Sequence, residues 1–107
     1  MATVARFGWT FQSPLGFSQM TDALNPTSAR PWMLGDSEHL GDYLGGRLTE
    51  EAVARIYVVQ AGFLVNLLFT SLTGDVKAQL QVAQQRLLEN ILPLLCASDV
   101  TATDPLE

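Results

Sequence analysis

The chain of 107 residues contains little of the chemistry on which most enzymes and metal sites depend. It has one histidine, His39, and one cysteine, Cys96. A single cysteine excludes an internal disulfide framework and a zinc site built from several cysteines, and in the apolar run ILPLLCA it is predicted to be a buried thiol. A single histidine excludes zinc sites with paired histidines in one chain, and any catalytic triad would have to use His39. We therefore expect no enzymatic activity and no cofactor.

Charged residues are also scarce, at 16% of the chain, and the net charge is −5. The six basic residues are spread singly along the sequence. Binding to a nucleic-acid backbone requires clustered Lys and Arg, so nucleic acid is not an expected partner. No N-terminal apolar segment resembles a signal peptide, because Arg6, Gly8 and Gln12 interrupt it, and the expected location is the cytoplasm.

The longest uncharged stretch of the chain is residues 56–74, IYVVQAGFLVNLLFTSLTG. A helix that is apolar on nearly all sides is buried on most of them, and we place such a helix at about 49–72. A second helix is predicted at about 75–97, with a kink or an early end at Pro93, because proline lacks the amide hydrogen that a helix interior requires. The polar residues 98–107 are predicted to be a flexible tail, in which Leu106-Glu107 is compatible with a cloning remnant.

Two long helices joined by a short turn predict an antiparallel helical hairpin within a domain spanning residues 35–97. One hairpin leaves much of its first helix uncovered, so the predicted fold is mostly all-α and a homodimer in which two hairpins form a four-helix bundle. Asn66 would then either set the register of the dimer, since a buried amide without a partner costs about 1–3 kcal/mol, or lie beside Arg55 on the solvated side of the helix. The expected self-association interface consists of Phe63, Asn66, Phe69, Leu87, Ile91 and Leu94.

The first 34 residues are predicted to be an extended, irregular segment that wraps around the helices. Within it, residues 4–11 alternate aromatic and small or polar side chains, the period of a half-buried strand or of an extended arm. A strand needs a partner, for which residues 29–34 or the same strand of a second copy are candidates. A short helix is expected for FSQMTDAL, residues 17–24, because the following Asn-Pro ends a helix.

A second short helix is predicted from Asp36, as N-cap, through Leu44 to a glycine pair. Asp36, His39 and Asp42 are weak candidates for a metal or acid–base site. Acidic residues are common in the first turn of a helix, so we interpret them as a solvated helix start.

Three functions are compatible with these features. The favoured one is a small non-enzymatic helical protein that acts by self-association and protein–protein interaction, with an unidentified protein partner. The alternative is association with a membrane or an apolar ligand through residues 56–74, whose length reaches only the lower part of the range for a spanning helix. The third is a small enzyme that uses His39 and its acidic neighbours.

Overall fold

The computed structural model describes residues 5–27, 30–37, 41–60, 62–70, 72 and 74–104. Across these residues the chain forms one antiparallel sheet of six strands, in the order β2-β3-β4-β5-β1-β6. The strands are β1 (Ala5–Gln12), β2 (Met33–Ser37), β3 (Gly41–Arg47), β4 (Ala52–Val59), β5 (Gly62–Phe69) and β6 (Ser98–Thr103). The helical segments are α1 (Phe17–Leu24), a 3-10 turn (Asn25–Thr27), α2 (Val76–Arg86), a π-helical turn (Leu87–Ile91) and α3 (Leu92–Leu94).

The predicted all-α fold, with its helical hairpin and four-helix bundle, is wrong. Residues 49–72, predicted to be a helix, contain the two adjacent strands β4 and β5 instead. Both lie inside the sheet, so β5 buries side chains on both of its faces, and that gives the all-round apolar pattern expected of a buried helix. The β-branched content of β4, AVARIYVV, favours a strand. Gly62, with φ +143°, then starts the next strand in a conformation open to glycine.

The short helix predicted from Asp36 to Leu44 is also wrong. Asp36 lies in β2 and Leu44 in β3, and the two strands form a hairpin that pairs Ser37 with Gly41. The glycines expected to end that helix, Gly45 and Gly46, are paired residues of β3. Acidic residues at this point resembled a helix N-terminus, but pairing of β3 with β4 decides the local conformation.

The strand predicted near the N-terminus is confirmed as β1, and it lies between β5 and β6 rather than beside residues 29–34. The helix predicted for FSQMTDAL is confirmed as α1. The last predicted helix corresponds to α2 through α3, and the π-helical turn precedes Pro93, which cannot donate to the helix. Cys96, expected to be buried, is exposed, and Ser98–Thr103 pairs with β1 as β6 rather than forming a tail.

The helices pack on one face of the sheet, and that contact forms the core. In β1, Phe7, Trp9 and Phe11 point toward this face, and so do alternate residues of β3, β4 and β5. Among the described residues, none of the helices has the length and hydropathy needed to cross a membrane. The buried members of the core are Trp9, Phe11, Met20, Leu24, Trp32, Leu44, Leu48, Ala52, Ala54, Ile56, Val65, Leu67, Phe69, Ala83, Leu87, Ile91, Leu92 and Leu95.

Candidate functional site

Two of the three candidate metal ligands come together at the end of the β2–β3 hairpin. Asp36 and Asp42 are cross-strand partners, so their side chains lie on the same face of the sheet, and both residues are exposed. Like charges directly opposite each other on neighbouring strands destabilise the pairing. The third candidate, His39, lies outside the described residues. Within the described ranges there is no group of three or more His, Cys, Asp or Glu side chains that could hold a metal ion.

The residues predicted to form a self-association interface are mostly inside a single chain. Phe69 and Leu87 are fully buried and Ile91 nearly so, all three in the core between the sheet and the helices. Phe63 is half-buried and stacks on Phe11, with ring centroids 5.5 Å apart. Leu94 is exposed on the short α3. Three of the apolar side chains expected to meet a second copy therefore pack in the core of a single chain.

Asn66 lies on the opposite, helix-free face of the sheet. It is fully buried, directly between Gly8 of β1 and Arg55 of β4, and neither its Oδ1 nor its Nδ2 has a hydrogen-bond partner. A buried polar group without a partner costs about 1–3 kcal/mol. Sequence reasoning identified Asn66 as an energetically unusual residue, but placed it on a helix.

The ring of Tyr43 contacts the edge of the sheet on the same face as Asn66. Its ring lies over Gly35 of β2, where a Cβ would be 2.4 Å from the tyrosine Cζ. The Arg55 guanidinium carbon is 4.8 Å from the centre of the Tyr43 ring, and the ring of Tyr57 is 5.5 Å away. The ring therefore ties β2 to β3 and β4, and only a glycine at position 35 leaves room for it.

Strand β2 is the edge strand on this side, and its outer side pairs with no other strand in the part of the chain that the structure describes. Two adjacent residues of β2, Met33 and Leu34, are 67% and 66% exposed, the highest values for large apolar side chains among the described residues. Because side chains alternate along a strand, Leu34 points toward the helix side and Met33 toward the opposite face. An open edge with exposed apolar side chains is a template for pairing with another chain.

The start of β2 is anchored in the core. Trp32 is 3% exposed and packs on Gly46 of β3, where a Cβ would be 2.3 Å from its ring. The backbone N–H of Trp32 donates a hydrogen bond of 2.7 Å to Oδ1 of Asn25, at the end of α1. These contacts fix the distance between α1 and the edge strand.

A groove of about 280 Å³ lies between α1 and β2 on the helix side. Its lining combines apolar side chains with the hydroxyl groups and the carboxylate of α1: Phe17, Ser18, Thr21, Asp22, Trp32 and Leu34. Small-molecule pockets usually measure about 300–1,000 Å³, so this groove suits one or two side chains better than a separate ligand.

A second cleft, of about 480 Å³, lies between the β3–β4 connection and α2. One of its lining residues, Arg86, is already engaged, because its Nη1 donates a 2.9 Å hydrogen bond to the carbonyl oxygen of Leu48. In the same connection, Nη1 of Arg47 donates a 2.7 Å hydrogen bond to the Glu50 carbonyl oxygen. These bonds stabilise the turn and hold it against α2, so they account for the basic side chains near this cleft.

Sequence reasoning missed the edge of β2, because it placed residues 29–34 in a wrapping segment or beside the N-terminal strand, and Asp36 at the start of a helix. The available signal was the alternation of Trp32, Leu34 and Asp36 on one side, followed after a few residues by Gly41, a residue suited to a hairpin turn.

No known protein family matches the chain, and neither a curated protein nor a solved structure is similar to it. A function is therefore argued from the residues of this chain.

Proposed function

We propose that this protein is a non-enzymatic interaction domain that binds another polypeptide along the edge strand β2. The observation that carries the proposal is the pair Met33 and Leu34, each about two-thirds exposed on an edge that no other described strand pairs with. Folded proteins usually protect such edges with lysine, proline or a covering segment. An edge that keeps two large apolar side chains exposed is suited to strand addition, in which main-chain hydrogen bonds give affinity and side-chain pockets give specificity.

The opposite edge supports the choice of β2. Strand β6, the sequence SDVTAT, is exposed along its whole length, but only one of its side chains, Val100 at 42%, is a large exposed hydrophobe. Asp99 adopts a positive φ of 53°, and the register of the pairing between β6 and β1 shifts nearby. Both features make this edge irregular. Both edges have open backbone groups, but β2 also has the apolar contacts and the neighbouring groove.

If the polypeptide that β2 binds is a second copy of this chain, the protein is a homodimer, the oligomeric state predicted from the sequence. The buried-helix reasoning for that dimer no longer applies, because Ala52–Val59 and Gly62–Phe69 are strands and the side chains from Leu64 to Phe69 are buried within one chain. Two copies joined by their β2 strands would bury the exposed Met33 and Leu34 side chains. Light scattering coupled to gel filtration separates a dimer, which Leu34→Lys would dissociate, from a monomer that binds a different chain.

Selection from a phage-displayed library of random peptides tests the proposal. The wild-type protein is the target, and the double variant Met33→Lys/Leu34→Lys is used for counter-selection, because lysine on an edge opposes strand addition. We expect enriched peptides that bind the wild type and not the double variant. A matched control, Val100→Lys/Thr101→Lys, places the same charges on the β6 edge and should leave binding unchanged. If the wild type is a monomer in light scattering and the selection enriches no peptide that binds the wild type but not the β2 double variant, the proposal is refuted.

A further inference from the structure

We infer that the groove beside β2 selects an extended, basic peptide segment, which adds to the sheet as an antiparallel strand. The segment has a large apolar residue that enters the groove and a lysine or arginine two positions before it. This inference rests on the proposed function and specifies its ligand.

The backbone of β2 is prepared for an added strand. Trp32 anchors its first end in the core, and the Tyr43 ring holds Gly35 in the sheet on the other face. A partner then pairs with a strand that is already extended, so little ordering is required on binding. Each neighbouring pair in the described sheet is antiparallel, and an antiparallel addition continues the same hydrogen-bond pattern.

One side chain of the added strand would enter the groove. Side chains alternate between the faces of a sheet, so a residue placed beside Leu34 points to the helix side, where Phe17 and Trp32 line the groove. The apolar lining and the volume of about 280 Å³ suit a leucine, methionine or phenylalanine side chain.

Charge fixes the composition and the direction of the segment. Asp36 follows Leu34 by two residues and lies on the same face, with Asp42 directly opposite it and Asp22 in the groove wall. Among the described residues, none of these three carboxylates has an ion pair or a side-chain hydrogen bond. A cation between Asp36 and Asp42 would relieve their mutual repulsion. In an antiparallel strand, the residue beside Asp36 comes two positions before the residue beside Leu34.

The same charges argue against a second copy as the occupant. Each chain has a net charge of −5, and a second β2 strand would bring another Asp36 and another Asp22 to this edge. Electrostatic complementarity favours a segment of opposite charge and opposes a like-charged one. A basic segment is therefore the better match for the groove.

Fluorescence anisotropy with labelled, blocked peptides tests the inference. The probe is the peptide STKTLTS, in which lysine precedes leucine by two positions. STETLTS reverses the charge, and STLTKTS has the same composition in the opposite order. We expect STKTLTS to bind about threefold more tightly than either control at low salt, since an exposed charge pair contributes little by itself but more than one carboxylate participates.

Variants of the protein locate the binding site. Leu34→Ser should weaken STKTLTS binding about tenfold, the effect of losing one buried leucine contact. Met33→Ser should weaken binding less than Leu34→Ser does, because Met33 has nearly the same exposure on the same strand but points away from the groove. Val100→Ser on the β6 edge is the control, and it should change affinity less than about twofold. Asp36→Asn should weaken binding about two- to fivefold and abolish the preference over STETLTS. Backbone amide shifts of the wild type, mapped by NMR, should change mainly in β2 and α1.

Several results would overturn the inference and leave the proposed function standing. One is the selection of peptides that require the β2 edge for binding but have no basic residue two positions before a large apolar residue. Another is an equal effect of Leu34→Ser and Met33→Ser, or a wild-type dimer that Leu34→Ser dissociates. Absence of amide shift changes in β2 with STKTLTS at about 1 mM would also overturn it, whatever the variants do.

Discussion

Replacing the buried amide of Asn66 by leucine should stabilise the protein. The side chain is fully buried, and its two polar atoms have no hydrogen-bond partner. Each buried, unsatisfied group costs about 1–3 kcal/mol, so removing both gives a gross gain of about 2–6 kcal/mol. Leucine branches at the same atom as asparagine, but its two methyl groups are larger than the amide oxygen and nitrogen, and overpacking costs about 1–3 kcal/mol. The residue directly opposite on β1 is Gly8, which has no side chain to compete for the same volume. We expect a net gain of about 2 kcal/mol.

Urea unfolding followed by circular dichroism measures this change. A gain of about 2 kcal/mol corresponds to a rise in Tm of about 10 °C for a domain of this size. Leu68→Asn is the matched control, because Leu68 is 5% exposed on the same face of the same strand. It places a second amide there and should destabilise the protein by about 3 kcal/mol.

A loss of stability in Asn66→Leu would refute this reasoning. It would mean that the amide has hydrogen-bond partners in solution, such as ordered water, whose loss outweighs the apolar gain. Thermal unfolding at two protein concentrations separates this explanation from burial of Asn66 in a contact between two copies. Only such an interface makes Tm depend on protein concentration.

Two further predictions concern the packing around Trp32, with one control substitution, and the cap of α2. Gly46→Ala should destabilise the protein by about 2 kcal/mol, because the new Cβ would be 2.3 Å from the Trp32 ring, whereas Gly16→Ala adds a Cβ in open space and should cost less than about 1 kcal/mol. Asp75→Ala should lower the urea midpoint by the equivalent of about 1 kcal/mol, because the Asp75 carboxylate accepts the 3.1 Å N-cap hydrogen bond from the Ala78 amide; an unchanged midpoint would show that this cap contributes nothing in solution.

The candidate site could be predicted from the sequence only in part. Asp36 and Asp42 were named, with His39, as weak candidates for one site on a helix, and the structure places these two side by side across a hairpin instead. The groove was not predictable, because Phe17 and Leu34 are 17 residues apart and meet only when α1 packs beside β2. Exposure of Leu34 likewise follows from the position of β2 at the sheet edge, and no local pattern encodes which strand is last in a sheet.

The local sequence determined those elements in which apolar side chains repeat on one face only, with the period of a strand or of a helix. The aromatic alternation in β1 has a period of two, and the proline after α1 ends that helix, so both elements were predicted near their observed bounds. The C-terminal helix was predicted for the same reason, together with an irregularity near Pro93. Composition also limited the chemistry, with one histidine and one cysteine in the whole chain.

Only the tertiary structure decided between a buried helix and two buried strands for residues 49–72. An apolar run has no periodicity to distinguish them, because a helix surrounded by helices and a strand inside a covered sheet both require apolar side chains in every direction. The choice is made by distant segments. β1 pairs with β5 across more than fifty residues, and β6 pairs with β1 across nearly the whole chain. Those pairings satisfy the backbone hydrogen bonds of the sheet, and they leave β2 as an open edge.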